Sequence, residues 1–236
     1  WRAWANSVPL SPMRLDSDAV GQSPDPAVLT IDAWDGYPAE RSTLLGMFRE
    51  AGIANVVSLA GDHHMHIAGV ASAADDGTRP TAVEFAVAGI SSQPFQTTLE
   101  RAVPRDNPAR IAFAFDDRPV ATGAARADAA NMTFRLGIAA TATTALSGQE
   151  RAGIAARNPR QNPHLRLLDS NANGFCIVTF TEDAARAAFH SIDPETGETV
   201  RVAHLEAPAW QAGGEARMAE ARIEGGGLFP EGLYRS

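Results

Sequence analysis

Ile53-Ala54-Asn55-Val56-Val57-Ser58-Leu59-Ala60-Gly61-Asp62-His63-His64 is the stretch on which the reading of this chain turns. The run Val56 to Ala60 is short, apolar and β-branched, which predicts a buried strand. Upstream, Leu44, Leu45, Phe48 and Ala51 recur at helical spacing. Pro38 suits a first helical turn and Gly52 a helix stop. The spacing therefore predicts helix, strand and loop in one compact unit. The loop carries one carboxylate and two imidazoles at the carboxyl end of the strand, where open α/β sheets bind ligands. Mixed oxygen and nitrogen donors suit hard and borderline metal ions. In an extended segment, side chains two apart share a side. That alternation sets Asp62 and His64 toward one metal and His63 elsewhere, toward substrate, with His66 continuing the pattern.

Further elements follow in order. Residues 1–10 read as an interior strand and residues 11–29, rich in Ser, Pro, Asp and Gly, as a loop. Val28-Leu29-Thr30-Ile31 is a short apolar stretch. Ala82 to Val87 is a second strand; Arg110 to Phe115 is a third strand or a helical turn. Residues 120–160 read as mixed helix and loop. Phe175 to Phe180 and Ala185 to Ile192 flank Thr181-Glu182-Asp183 as an antiparallel pair, and Val200 to Leu205 extends it. A short helix is expected over Ala216 to Ile223, before Gly225-Gly226-Gly227. There is no internal repeat and no clean domain boundary, so residues 1–206 form the domain and 207–236 an extension packed on it.

The chain has 236 residues, enough for one large domain. Its formal net charge of −8 argues against a nucleic-acid partner. No apolar stretch is long enough for a membrane span, and no signal peptide is visible. Cys176 is the sole cysteine, so no intrachain disulfide forms; its setting in Gly174-Phe175-Cys176-Ile177-Val178 is that of a buried small hydrophobe. The chain opens on Trp1-Arg2-Ala3-Trp4, which reads as a strand already under way and implies a preceding segment.

Four motifs occur in order: Trp34-Asp35-Gly36-Tyr37-Pro38-Ala39-Glu40-Arg41; Gly61-Asp62-His63-His64; Val83-Glu84-Phe85 with Ile90-Ser91-Ser92; and Asn162-Pro163-His164 with Gly174-Phe175. Together, over residues 1–193, they resemble the carboxyl-terminal half of PhoD-like alkaline phosphatases, a branch of the calcineurin-like metallophosphoesterases. The resemblance implies an α/β fold, a four-layer sandwich of two mixed β-sheets flanked by helices, with this chain supplying the carboxyl-terminal half. It implies hydrolysis of phosphate mono- or diesters by a metal-activated water. Two or more metal ions are implied, calcium and iron or zinc and other divalent ions. Asp62 and His64 are then the metal ligands, His63 the phosphate contact, and His63 and His64 the catalytic histidines. Export to the periplasm or outside the cell is implied as well.

The family's remaining ligands lie in its amino-terminal half. No Asp-x-His strand motif, Gly-Asp-x-x-Asp loop or Asn-His-Glu occurs here. One aspartate and two histidines cannot fix two or three metals with open positions. The expected partner is therefore the amino-terminal half of the same phosphatase, carried on a separate chain, beside a phosphate-ester substrate.

Around this core, Asp35, Tyr37, His66 and His164 stand as possible supporting residues. Asp35 equally suits a helix cap or an ion pair with Arg41; Trp34 and Tyr37 suit packing; His66 and His164 suit hydrogen-bonded structural roles. Ser91 and Ser92 have no Ser-His-Asp arrangement around them. The rival readings are a metal- or phosphate-binding half-domain without catalysis, an interaction protein with an incidental zinc site on His63, His64 and His66, and a same-fold hydrolase of organophosphate or phospholipid esters.

Overall fold

The structure is a computed structural model and describes residues 1–15, 27–28, 31–74, 78–113 and 129–225. Expectations for Leu29-Thr30, Ala114-Phe115, residues 120–128, Gly226-Gly227 and the rest of the carboxyl-terminal extension lie outside them, as does most of the loop expected over 11–29.

Eleven strands are described. β1 (Arg2–Ala5), β4 (Val56–Ala60), β6 (Ala82–Ala86), β5 (His66–Ala71) and β7 (Leu165–Asp169) form a sheet in that order. β1, β4 and β6 run parallel; β5 is antiparallel to β6 and β7. β8 (Gly174–Phe180), β9 (Ala184–Ile192), β10 (Thr199–Pro208) and β11 (Arg222–Gly225) form a second sheet. β2 (Arg14–Leu15) pairs with β3 (Ala27–Val28) alone.

Apart from its edge strand β1, the first sheet is buried on both faces, which is why β4 and β6 read as continuous apolar runs. Alternate residues face alternate ways. Val57, Ala68, Val83, Phe85 and Leu167 meet Ala185, Ala187, Phe189, Ala203 and Leu205 of the second sheet. Val56, Ala71 and Ala82 face the other way and meet Leu45 and Phe48 of α1 (Pro38–Glu50). Ala60, Ile67, Ala86 and Leu168 share that face and meet α2 (Phe95–Ala102) and α3 (Ala129–Leu136) through Phe95, Leu99 and Phe134. Among the described residues this makes three layers: helices, mixed sheet, second sheet. α4 (Ile138–Ser147) and α5 (Glu150–Ala155) follow α3.

The helix–strand–loop unit stands as the sequence predicts, as do the Ala82 strand and the β8–β9–β10 order. One reading left open is decided, and four expectations change. For the described part of Arg110 to Phe115 the helical turn is the reading that holds, because Pro108–Ala112 is a 3₁₀ helix. The opening strand is short and lies at the sheet's edge, mostly exposed, not inside it. Among the described residues the second sheet is antiparallel rather than mixed. The segment expected as a helix over Ala216 to Ile223 is irregular chain ending in β11, and it buries Ala216, Met218 and Ala221 in the inter-sheet core beside Trp210. Finally, Leu10, Ser11 and Met13 are buried, not part of a surface loop.

Four acceptors and donors hold that buried segment. The Glu84 carboxylate accepts from the backbone N–H of Leu10 at 2.6 Å and Ser11 at 2.8 Å. Asp35 accepts from Met13 N–H at 2.8 Å. Asn162 accepts from Arg14 N–H at 3.0 Å and donates to the Arg14 and Phe134 carbonyls. His164 Nε2–H donates to the Pro12 carbonyl at 2.8 Å. Three of the four motifs quoted above thus converge on residues 10–15.

Candidate metal and phosphate site

The fourth motif forms the loop between β4 and β5. It is not extended. Asp62 (φ +71°) and His64 (φ +53°) are both left-handed, a region that Asp and His enter more readily than most residues. The His63 N–H donates back to the Gly61 carbonyl at 2.9 Å, so the chain curls between them. The extended backbone from which the alternation of Asp62, His63, His64 and His66 was argued is therefore absent before His66, although Asp62 and His64 still differ together from His63 in exposure.

The curl leaves Asp62 and His64 exposed and draws His63 inward. His64 is oriented by its neighbours. Its Nδ1 lies 2.9 Å from the Gln93 carbonyl, which can only accept, so Nδ1 carries the proton and Nε2 the lone pair. Metal-ligating histidines are commonly fixed in this way by a backbone carbonyl. The His64 carbonyl in turn accepts from the N–H of Phe95 at 3.0 Å, tying the loop to the start of α2.

His63 is different. Both its ring nitrogens are buried, and neither has a hydrogen-bond partner among the described residues. Burial holds its pKa below the usual histidine range, against the attraction of Asp62, Asp35 and Asp32. It is a neutral ring at neutral pH, with one N–H and one lone pair unspent. A buried unpaired polar atom costs about 1–3 kcal/mol, so a hydrogen-bonding partner at either ring nitrogen would be stabilising.

The supporting residues sort themselves by burial. Asp35 is buried and pairs with Arg14, and with Arg41 at 3.6 Å, while holding Met13; it is structural. Trp34 packs edge-on against Trp4 at 6.2 Å. Tyr37, expected to pack, is 59% exposed. His66 begins β5 and is fully buried, accepting from Ala88 N–H at 3.1 Å and packing on Phe189 at 5.1 Å. Burial lowers its pKa to about 4. His164 is buried too, also lowered to about 4 by burial, and spends Nε2 on Pro12. Neither reaches the loop surface. Burial pushes the Cys176 thiol up to about 12, so it is no thiolate nucleophile.

Sequence reasoning missed two residues of the rim. Gln93 fixes the His64 ring through its backbone, which no side-chain pattern reveals. Asn173 Nδ2 donates to the carbonyls of Gly89 at 3.1 Å and Ser92 at 2.6 Å, binding the β6–α2 loop to the β7–β8 turn. Its turn signature was readable; its partners were not. Behind it, Gly174 sits so close to β9 that a Cβ would lie 1.8 Å from the His190 carbonyl.

Among the described residues no three His, Cys, Asp or Glu side chains stand close enough together to hold a metal ion. Asp62 and His64 fit as two ligands of a larger set, by donor type, exposure and the fixed tautomer of His64. They do not make a complete site. No described helix is long and apolar enough to cross a membrane.

The comparisons with known proteins bear on the family and the fold. The family model described as "PhoD-like phosphatase" matches residues 1–189. A solved structure entitled "Structure of PhoD" superposes with a TM-score of 0.55 at 18% sequence identity. The match covers 96% of this chain but only 33% of that one, so this chain spans about a third of that protein's length. No curated protein sequence matches.

Proposed function

The chain belongs to the PhoD-like phosphatase family, and from that membership we propose that it is the carboxyl-terminal half of a metal-dependent phosphate-ester hydrolase whose site is completed by an amino-terminal half on a separate chain. The observation that carries the reading is the His64 ring, locked by Gln93 with its Nε2 lone pair unspent, beside the exposed Asp62 at the carboxyl end of β4.

In this reading Asp62 and His64 hold cations, calcium and iron or other divalent ions. When bound, such ions supply Lewis acidity toward the phosphoryl oxygens and the attacking water. His63 meets the substrate. As a neutral ring it donates its N–H to a phosphoryl oxygen or passes that proton to the leaving alkoxide. The unspent His63 nitrogens and the lowered pKa favour this role. Asn173 keeps the facing loop in place.

The shortage of donors among the described residues supports a separate half that brings the rest. The same half supplies the cover for the outer face of the second sheet, giving the fourth layer. Family membership supports export to the periplasm or beyond. The shortage of donors also favours a second reading, a half-domain that binds metal or phosphate without turnover.

Asn tolerates left-handed backbone, so Asp62→Asn and His64→Asn remove the ligand groups with little strain at those two φ values. With p-nitrophenyl phosphate and its bis ester as substrates, each variant is expected to lose about 100-fold or more in kcat, with its Tm nearly unchanged. Full activity in either variant sinks the catalytic assignment. Metal bound at stoichiometry without any turnover in the wild type selects the binding reading.

A further inference from the structure

At the opposite end of the first sheet, beyond the amino ends of β6 and β7, lies a cavity of about 640 Å³. β6 has five residues, so roughly 16 Å of strand separates it from the histidine loop at about 3.3 Å per residue. Its volume is in the range of small-molecule sites.

Val70, Pro163 and Met218 give it apolar wall, while Arg79, Arg166 and Arg217 bring three guanidinium groups to it against the one carboxylate of Glu215. This is unexpected in a chain with a formal charge of −8. Arg79 and Arg217 are exposed and neither forms an ion pair among the described residues. Arg166 is fixed by donation to the Pro163 carbonyl at 2.7 Å and the Met218 carbonyl at 3.2 Å. Glu220 stands 3.7 Å from it and also pairs with Arg135 at 3.0 Å. Among the described residues, the lining itself carries more positive than negative charge.

The walls are built rather than accidental. The 215–218 segment is pinned across the cavity by the Ala216 N–H, which donates to the Pro80 carbonyl at 2.8 Å. Arg79 is left-handed (φ +51°) although it precedes a proline, where the extended region is strongly preferred. Backbone strain of this kind collects where a side chain must be aimed.

We propose that this cavity is a second, non-catalytic site for a small organic anion, one that pairs a carboxylate, sulfonate or phosphate group with an apolar body. The guanidinium groups take the oxyanion by forked hydrogen bonds, and the apolar wall takes the remainder.

The test is a fluorescence titration of the purified protein with 1-anilinonaphthalene-8-sulfonate, a non-hydrolysable aryl sulfonate. Wild type is expected to bind it at one saturable site that weakens as salt rises. Arg79→Ala/Arg217→Ala is expected to bind at least tenfold more weakly, with phosphatase activity unchanged. Glu215→Gln is expected to bind a few-fold more tightly, and Asp62→Asn as wild type. Inorganic sulfate and hexanoate serve as competitors: the first displaces the probe if charge alone suffices, the second if the apolar body is needed. No saturable binding in wild type, or equal binding by the double arginine variant, overturns the proposal.

Discussion

His164 makes the hydrogen bond that its structural reading expects. It lies in a motif, yet it is buried, and its Nε2–H is spent on Pro12. Its folded pKa of about 4 is below the ordinary 6.5. The unfolded chain therefore takes the proton first as pH falls. Stability is intact above 6.5 and declines down to about 4, by about 1.4 kcal/mol per pH unit from this one group. Denaturant midpoints measured across that window should show a shallower slope in His164→Gln, which keeps a donor toward Pro12. Gly174 makes a second prediction at this scale. Gly174→Ala forces a Cβ into the His190 carbonyl and should cost about 2 kcal/mol or more, read as a fall in the denaturation midpoint. The histidine loop was legible as a candidate site because its residue types and its place after β4 are sequence facts. Which side chain faces inward was not legible. That depends on left-handed φ at Asp62 and His64, which residue identity permits but does not require.

Strands were legible where apolar runs were unbroken and illegible where glycine interrupted them. β5, His-Ile-Ala-Gly-Val-Ala, escaped the sequence reading because Gly69 looks like a breaker. Its reason is contact: a Cβ there would lie 2.5 Å from the His164 carbonyl, where the β5–β7 register shifts. The burial of residues 10–13 was also hidden, because Ser and Pro signal loops and the four side chains that hold the segment are distant in sequence. One link between elements has a measurable consequence. Asp169 of β7 pairs with Arg201 of β10, both fully buried, with Ser191 of β9 donating at 3.2 Å. The charges thus join the two sheets. Arg201→Met strands a carboxylate in the core and should cost about 3–5 kcal/mol. Adding Asp169→Leu should recover much of that loss, because two apolar groups replace two charges. A double variant as unstable as the sum of the singles would show that the pair has no coupling.

At the scale of the molecule, two packed sheets were foreshadowed by the run of motifs, while among the described residues the proposed metal site lacks a full donor set. Native mass spectrometry of the source preparation should show a second polypeptide bound to the 24.9 kDa chain. A monodisperse, active species of 24.9 kDa would remove the need for one. The edge position of β1 bears on the same question. The Arg2 N–H donates to the Asn55 carbonyl just ahead of β4, and the Asn6 N–H, four residues on, donates to Leu59 of β4. By the two-residue period, the N–H groups of Ala3 and Ala5 point away from the sheet. A solitary chain thus offers a ready template for stacking with its own copies. Kept concentrated without a companion, it should grow thioflavin-positive fibrils, and Ala3→Pro, which deletes an outward donor while sparing the β4 ladder, should delay them.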